Sequence, residues 1–119
     1  MVRGIRGATT VMKDTPEAVK QATKVLVAKM LNDNSAEIED LASVMFSVTP
    51  DIYSEFPAVA VRELGWKEVP LLNFQEMNKQ NALKMCIRIL MHWNTEQTQA
   101  SIKHVYLEGA QVLRPDLLK

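Results

Sequence analysis

The chain has one cysteine, no net formal charge and no long apolar run, and each of these absences excludes a class of protein. The single cysteine, Cys86, rules out an internal disulfide and fits a reducing compartment. A formal net charge of zero argues against a nucleic-acid partner, which requires a basic excess to neutralise phosphates. No segment approaches the ~20 apolar residues of a membrane span, and no apolar leader follows Arg3 and Arg6. We therefore expect a cytoplasmic protein without membrane or nucleic-acid partners.

Length and composition are those of a single globular domain. The 119 residues allow one core, and the apolar and charged fractions of 47% and 24% are ordinary for a folded protein. We find no internal repeat, low-complexity tract or linker. We therefore treat residues 1–119 as one domain.

The first half of the chain predicts a strand, a long helix and a second strand. Residues 2–11 carry β-branched residues and form the first strand, in which Arg6 shares a face with Val2 and Gly4. Thr15-Pro16-Glu17 is a strong helix start, and Val19, Thr23, Leu26 and Met30 recur at helical spacing. The helix ends at residues 32–35, and Ser35 is expected to cap a following turn. Residues 42–48 form a mostly buried strand.

The second half predicts a short helix over residues 56–64, a strand over 69–76 and a final strand over 104–113. Residues 84–93 fit either a helix or a strand. The β-branched residues and Trp93 favour a strand, with Ile87 and Ile89 on one face and Arg88 on the other. The pattern predicts an α+β fold in which one long and one short helix cover one face of a single sheet. We expect another copy of the chain to cover the other face.

The five arginines all lie in short motifs, whereas the nine lysines serve mainly on the surface. The arginine side chain ends in a planar, permanently charged guanidinium that binds carboxylates with two hydrogen bonds. Its restriction to motifs therefore indicates a small carboxylate ligand. Arg88 interrupts an apolar run, so its charge needs a partner. That partner is either a structural carboxylate, such as Glu76 or Glu108, or an anionic ligand. Arg6 lies between two glycines, which often mark the close approach of a ligand.

Other candidate groups offer neither a nucleophile nor a metal site. Cys86 reads as a small buried hydrophobe, and His92 and His104 lack metal-ligand spacing. We predict no cofactor and no metal. Arginines with Glu76 and Tyr106 on adjacent strands suit an enzyme that binds a dianion and lowers a barrier by position and charge.

Eight short segments together resemble the monofunctional chorismate mutase of the Bacillus type, from Val2 to Leu117. They are residues 3–10 (RGIRGATT), 49–51 (TPD), 56–58 (FPA), 60–64 (AVREL), 69–70 (VP), 86–88 (CIR), 104–108 (HVYLE) and 113–117 (LRPDL). The resemblance implies a homotrimeric pseudo-α/β barrel with sites at the subunit interfaces. It also implies conversion of the dianion chorismate to prephenate, a Claisen rearrangement on the route to phenylalanine and tyrosine.

The resemblance also assigns roles to individual residues. Arg88 binds the ether oxygen and a carboxylate of chorismate, and Arg6 binds a carboxylate. Tyr106 helps to hold the enolpyruvyl side, and Glu76 accepts a hydrogen bond from the ring hydroxyl. The remaining implied substrate-binding residues are Phe56, Ala58, Arg62, Leu72, Asn73, Leu113 and Arg114.

The chain departs from the family pattern at Asn73, where cysteine is usual, and at Val59, where a charged residue is common. Residues 79–82 lack the usual glycines, so we expect that loop to differ. Only five residues follow Arg114, and with this short tail we expect product release to differ. The alternative function is a silent or enamine/imine-deaminase-like trimer that binds small carboxylates. Such a protein shares the barrel architecture, but it would not need Glu76 together with Tyr106.

Overall fold

A computed structural model describes residues 1–113 of the chain, and within them five strands form one mixed sheet with two α-helices. The strands are β1 (Val2–Thr10), β2 (Leu41–Val48), β3 (Leu71–Gln75), β4 (Cys86–Asn94) and β5 (Val105–Tyr106); the helices are α1 (Pro16–Asn34) and α2 (Ala58–Glu63). The strand order is β3-β2-β4-β1-β5. Strand β4 runs antiparallel to β1 and β2, whereas the outer pairs β2–β3 and β1–β5 are parallel. The predicted α+β fold with one long and one short helix is confirmed.

Helix α1 begins and ends with capping residues. The Thr15 hydroxyl accepts a hydrogen bond from the Ala18 N–H at 3.1 Å, and Pro16 occupies the first turn, as the sequence predicts. At the other end, Ser35 takes a left-handed conformation with φ 52°, and its N–H returns to the Asn32 carbonyl at 3.1 Å. Ser35 therefore closes α1, and the expectation that it caps the following turn is wrong.

One face of α1 lies closely against the sheet. Its buried residues are the four predicted ones, Val19, Thr23, Leu26 and Met30, together with Val27. A side-chain carbon placed on Gly7 of β1 would collide with the Met30 thioether. Glycine at this position thus lets the helix approach the strand backbone, which explains one of the two glycines beside Arg6.

Two contacts dock the short helix α2 onto the rest of the fold. The side-chain oxygen of Asn73 accepts from the Ala58 N–H at 3.1 Å, which satisfies a main-chain donor of the first turn. At the other end, Lys20 and Lys24 of α1 each approach one carboxylate oxygen of Glu63 at 3.0 Å. These two lysines therefore do more than cover the surface, because their ion pairs with Glu63 connect α1 to α2.

The turn at residues 49–51 fixes the start of β4. Both carboxylate oxygens of Asp51 accept from the Met85 N–H, at 3.1 and 3.0 Å, and Met85 itself has φ 54°. The Thr49 hydroxyl accepts from the Cys86 N–H at 2.9 Å and donates to Asp51 at 2.5 Å. Side chains of one turn thus hold a strained backbone at Met85, three residues before Arg88.

A second carboxylate anchors the loop that leads to α2. Asp14 accepts hydrogen bonds from the N–H groups of Tyr53 at 3.0 Å and Ser54 at 3.1 Å. The pKa of Asp14 is lowered by its contacts with Ser54 and with the Tyr53 main chain. The charged form of Asp14 is therefore the one that stabilises this loop.

The predicted final strand over residues 104–113 is wrong beyond its third residue. Strand β5 pairs with β1 over only two residues, and a 3₁₀ helix over Glu108–Leu113 replaces the rest. The chain turns because Glu108 takes φ 51°, after which the Gly109 N–H bonds to the Thr10 hydroxyl at 3.0 Å. This turn brings Leu113 back over the sheet.

The helices cover one face of the sheet, and the other face is largely open. Strand β4 shows the predicted alternation, with Ile87, Ile89, Met91 and Trp93 buried on the helix side. The opposite face bears Arg88 and Leu90 on β4, and Leu72 and Phe74 on β3 are 57% and 47% exposed. Within the part of the chain that the structure describes, no helix is long and apolar enough to cross a membrane.

Candidate active site

The strand register places one row of side chains across the whole open face. Tyr106 of β5 is opposite Ala8 of β1, which is opposite Arg88 of β4. Arg88 is opposite Ser47 of β2, and Ser47 is opposite Phe74 of β3. Because facing residues point to the same side of a sheet, the small Ala8 leaves open space between Arg88 and Tyr106.

The next row on the same face brings in the second predicted arginine. Arg6 is opposite Leu90 of β4, and Leu90 is opposite Met45 of β2. Within residues 1–113 no carboxylate lies within ion-pair distance of the Arg6 guanidinium. The main-chain N–H of Arg6 donates to His104 Nδ1 at 2.9 Å, so His104 holds the strand at this position. The arginine side chain itself remains available to an anion.

Glu76 lies just beyond β3 and turns back toward Arg88. Its N–H donates to the Val48 carbonyl at 2.8 Å, which extends the β2–β3 pairing by one residue. Its Oε2 accepts a short hydrogen bond from the Ser47 hydroxyl and lies 3.8 Å from Arg88 Nε. The latter is an ion-pair distance, longer than a hydrogen bond. Glu76 is thus the structural carboxylate near Arg88, whose side chain is still 47% exposed, and an anionic ligand for Arg88 stays a prediction.

These rows enclose a pocket of about 340 Å³. Its lining residues are Arg6, Gly7, Ala8, Met45, Ser47, Phe74, Glu76, Arg88, Ile89, Leu90, Tyr106 and Leu113. All four predicted catalytic residues are thus in one pocket, together with Leu113. Two cations and one anion over an apolar floor suit a carboxylate ligand that also carries a hydrogen-bond donor.

Cys86 lies next to this pocket without opening into it. It is fully buried with Ala8 and Ala110, and burial raises the pKa of its thiol despite the nearby Arg88. A raised thiol pKa disfavours the nucleophilic thiolate, in agreement with the prediction of a small buried hydrophobe. Within residues 1–113 no cluster of three or more His, Cys, Asp or Glu side chains could hold a metal ion.

The other predicted substrate-binding residues lie away from the pocket in this single chain. Phe56 is 64% exposed and lines a second hollow of about 340 Å³ with Asn73 and Phe74. Phe74 borders both hollows, so they adjoin at β3. Leu72 is exposed on the open face and Arg62 on α2, whereas Ala58 is buried in the core. Arg114 lies outside the described residues, and the roles of all these residues stay predictions.

Sequence reasoning missed Ser47 and the apolar floor formed by Met45, Leu90 and Phe74. Ser47 follows a run of apolar residues, and the sequence predicts it only as part of a buried strand. It is only 5% exposed, and a buried hydroxyl needs a partner. That need is the signal that singles it out, although the identity of the partner depends on the strand order.

The fold and the pocket define a small α+β protein whose open sheet face offers arginine, glutamate and tyrosine side chains to an anion. Residues 2–117 match the family model described as "Chorismate mutase type I". This chain therefore belongs to the type I chorismate mutase family.

Two curated relatives extend the match over nearly the whole chain. Chorismate mutase AroH of Bacillus subtilis is 51% identical over 118 residues, which cover 98% of this chain and 93% of that protein. Chorismate mutase AroH of Thermus thermophilus is 52% identical over 118 residues, which cover 98% of this chain and 97% of that protein. The predicted family resemblance is confirmed.

A solved structure supports the fold independently. A chorismate mutase from Clostridium thermocellum superposes with a TM-score of 0.91 at 41% identity, covering 92% of this chain and 98% of that one. The alternative of a deaminase-like or silent binder gains no support from any of these matches.

Proposed function

We propose that this chain is a chorismate mutase that converts chorismate to prephenate in the pocket between Arg88 and Tyr106. The observation that carries the proposal is the row of side chains across the open face, in a chain whose relatives bear this name. The row puts a permanent cation and a phenol around one small space, and Glu76, just beyond β3, adds a carboxylate to its lining. Chorismate offers two carboxylates, a ring hydroxyl and an ether oxygen to such a space.

The reaction is an isomerisation in which one carbon–oxygen bond breaks as one carbon–carbon bond forms. No proton or electron leaves the molecule, so the protein has no group to transfer. Negative charge grows on the ether oxygen as the bond breaks. A guanidinium at that oxygen stabilises the transition state more than the ground state, which lowers the barrier. We assign this role to Arg88.

The other side chains hold the substrate in the reactive conformation. We assign a carboxylate to Arg6, the enolpyruvyl side to Tyr106 and the ring hydroxyl to Glu76. The apolar floor keeps water from one side of the pocket, which strengthens the charge interactions beside it. This division of labour needs positioning and electrostatics alone.

We further propose that the open face is covered by neighbouring copies in a homotrimer. The support is exposed apolar surface: Phe74 and Phe56 line the second hollow, and Leu72 lies two residues from Phe74 on the same face of β3. Contiguous apolar surface of this kind marks an association site. A second copy would then bring its Phe56 and Arg62 to a pocket that holds Arg88, which accounts for their distance from it in one chain.

Two measurements test these proposals. Purified protein is incubated with chorismate, and the loss of its ultraviolet absorbance is followed while prephenate is identified by chromatography. Conversion no faster than in buffer would contradict the proposed reaction. Light scattering gives the assembly state, and a monomer with undiminished turnover would contradict the proposed trimer.

A further inference from the structure

Ser47 holds the Glu76 carboxylate by a contact that no expected role of the family explains. Its hydroxyl donates a short hydrogen bond to Glu76 Oε2. Ser47 is 5% exposed and the Glu76 side chain is 29% exposed, so this bond is partly buried. Hydrogen bonds to a charged acceptor are among the stronger ones in proteins, especially away from water.

The backbone of Glu76 is tied to the same end of β2. Its N–H donates to the Val48 carbonyl, next to Ser47, at 2.8 Å. Main chain and side chain of Glu76 are thus both held by consecutive residues of one strand. Ser47 also faces Arg88 across the β2–β4 pairing, so the hydroxyl and the guanidinium approach the Glu76 carboxylate from neighbouring strands.

Both partners engage the same carboxylate oxygen. Ser47 donates to Oε2, and Arg88 Nε is 3.8 Å from Oε2. Within residues 1–113 Glu76 Oε1 makes no hydrogen bond to another residue. The carboxylate therefore has one oxygen fixed by the protein and one oxygen left for a ligand.

We propose that Ser47 is a positioning residue that orients Glu76, so that Oε1 meets the donor group of the bound substrate. The inference rests on the proposed mutase function and deepens it. Ser47 satisfies Oε2 as a hydrogen-bond donor, which leaves Arg88 loosely paired and able to turn toward the substrate. Without the hydroxyl, the carboxylate is free to rotate and to pair more closely with Arg88, which weakens both groups as substrate contacts.

The test compares Ser47→Ala with Glu76→Ala and with the double variant, using kcat and KM for chorismate. Ser47→Ala is expected to lower kcat/KM about tenfold, the loss typical of one hydrogen bond to a charged group. The loss should divide between kcat and KM as it does in Glu76→Ala, because Ser47 acts through that residue. In the Glu76→Ala background, Ser47→Ala should cost less than about twofold.

Two further variants separate positioning from a structural role. Ser47→Thr retains the hydroxyl and should keep activity within about threefold of the wild type. Ser43→Ala is the matched control, because Ser43 lies on the same strand and bonds His92 Nδ1 at 2.8 Å without lining the pocket. It should leave kcat/KM unchanged. Should Ser47→Ala fail to fold, Ser47→Cys keeps the volume with a weaker donor and gives the same comparison.

The inference is overturned if Ser47→Ala stays within about twofold of the wild type, or if it costs the same factor with and without Glu76. A Ser47→Thr variant as poor as Ser47→Ala overturns it as well. If the wild-type protein is active and Ser47→Ala has the same kcat/KM, this inference is wrong and the proposed function still holds. Wild-type protein without mutase activity removes both.

Discussion

Replacement of Arg88 by alanine should abolish most catalysis and leave the fold intact. Arg88 is 47% exposed at its side chain, and its carboxylate neighbour Glu76 lies 3.8 Å away. Two unit charges at that distance attract by about 1 kcal/mol in water, and exposed pairs contribute about 0–1 kcal/mol to stability. The free energy of unfolding should therefore fall by no more than about 1 kcal/mol.

The catalytic loss should be much larger than this. Removal of one oriented donor at a developing oxyanion costs about 10²–10³ in kcat, or roughly 2.7–4 kcal/mol. The loss should exceed any rise in KM, because the interaction strengthens as the ether oxygen gains charge. Steady-state absorbance kinetics with chorismate, together with thermal unfolding at a fixed protein concentration, measure the two effects.

Two other replacements of Arg88 test why an arginine is needed. Arg88→Lys keeps the charge but cannot hold the ether oxygen and a carboxylate in one planar fork, so it should recover only part of the rate. Citrulline keeps the shape without the charge and should be nearly as poor as alanine. Arg3→Ala is the control, because Arg3 lies outside the pocket and donates to the Gln97 carbonyl at 3.0 Å. If lysine or citrulline restores the full rate, a rigidly placed charge is not the origin of catalysis here.

Three further predictions concern stability. Asp51→Ala should lower the free energy of unfolding by about 1–3 kcal/mol in denaturant titration, because the partly buried N–H of Met85 loses its hydrogen-bond acceptor. An unchanged free energy would show that the turn is stable without Asp51. Thr15→Ala should cost about 1 kcal/mol, while Thr98→Ala, a cap residue without a side-chain bond, should cost almost nothing; equal losses would contradict the capping role. Asp14→Asn should destabilise the protein at pH 7. The pKa of Asp14 is lowered by residues 54 and 53, so its contribution is present above about pH 4 and lost as pH falls through the folded pKa. The difference in melting temperature should close at low pH, and a constant difference would exclude the ionised form as the cause.

Local patterns in the sequence predicted most of the elements. The Thr15 cap and the spacing of Val19, Thr23, Leu26 and Met30 depend on near neighbours, and the helix is where they place it. The choice of strand for residues 84–93 was also correct, because alternation and β-branching outweighed the competing helical spacing. The failures lie where one backbone angle decides, as at Glu108, whose positive φ ends the predicted last strand. Glutamate, unlike glycine or asparagine, has no preference for such an angle, so the sequence does not signal it.

The site was predicted less completely than the fold, since it depends on which strands become neighbours. Arg6, Glu76, Arg88 and Tyr106 were found as residues of unusual chemistry in apolar or glycine-rich surroundings, and through the family resemblance. Their placement in one pocket was not readable from composition or spacing. It follows from the order β3-β2-β4-β1-β5, which brings β5 beside β1 and β2 beside β4. Long-range pairing of this kind leaves no local signature, and Ser47 was missed for the same reason.

In the proposed trimer the open sheet face would serve both assembly and catalysis. In one chain the pocket is open, and half of the Arg88 side-chain surface meets water. Water screens a guanidinium strongly, so an exposed arginine stabilises a developing charge far less than a shielded one. Phe74 lines this pocket and, together with Phe56, the adjoining hollow, and Leu72 is exposed on the same open face. Burial of these side chains against a second copy would both drive association and exclude water from Arg88. The hydrophobic surface that builds the proposed trimer is then also the part of the site that makes its charges effective.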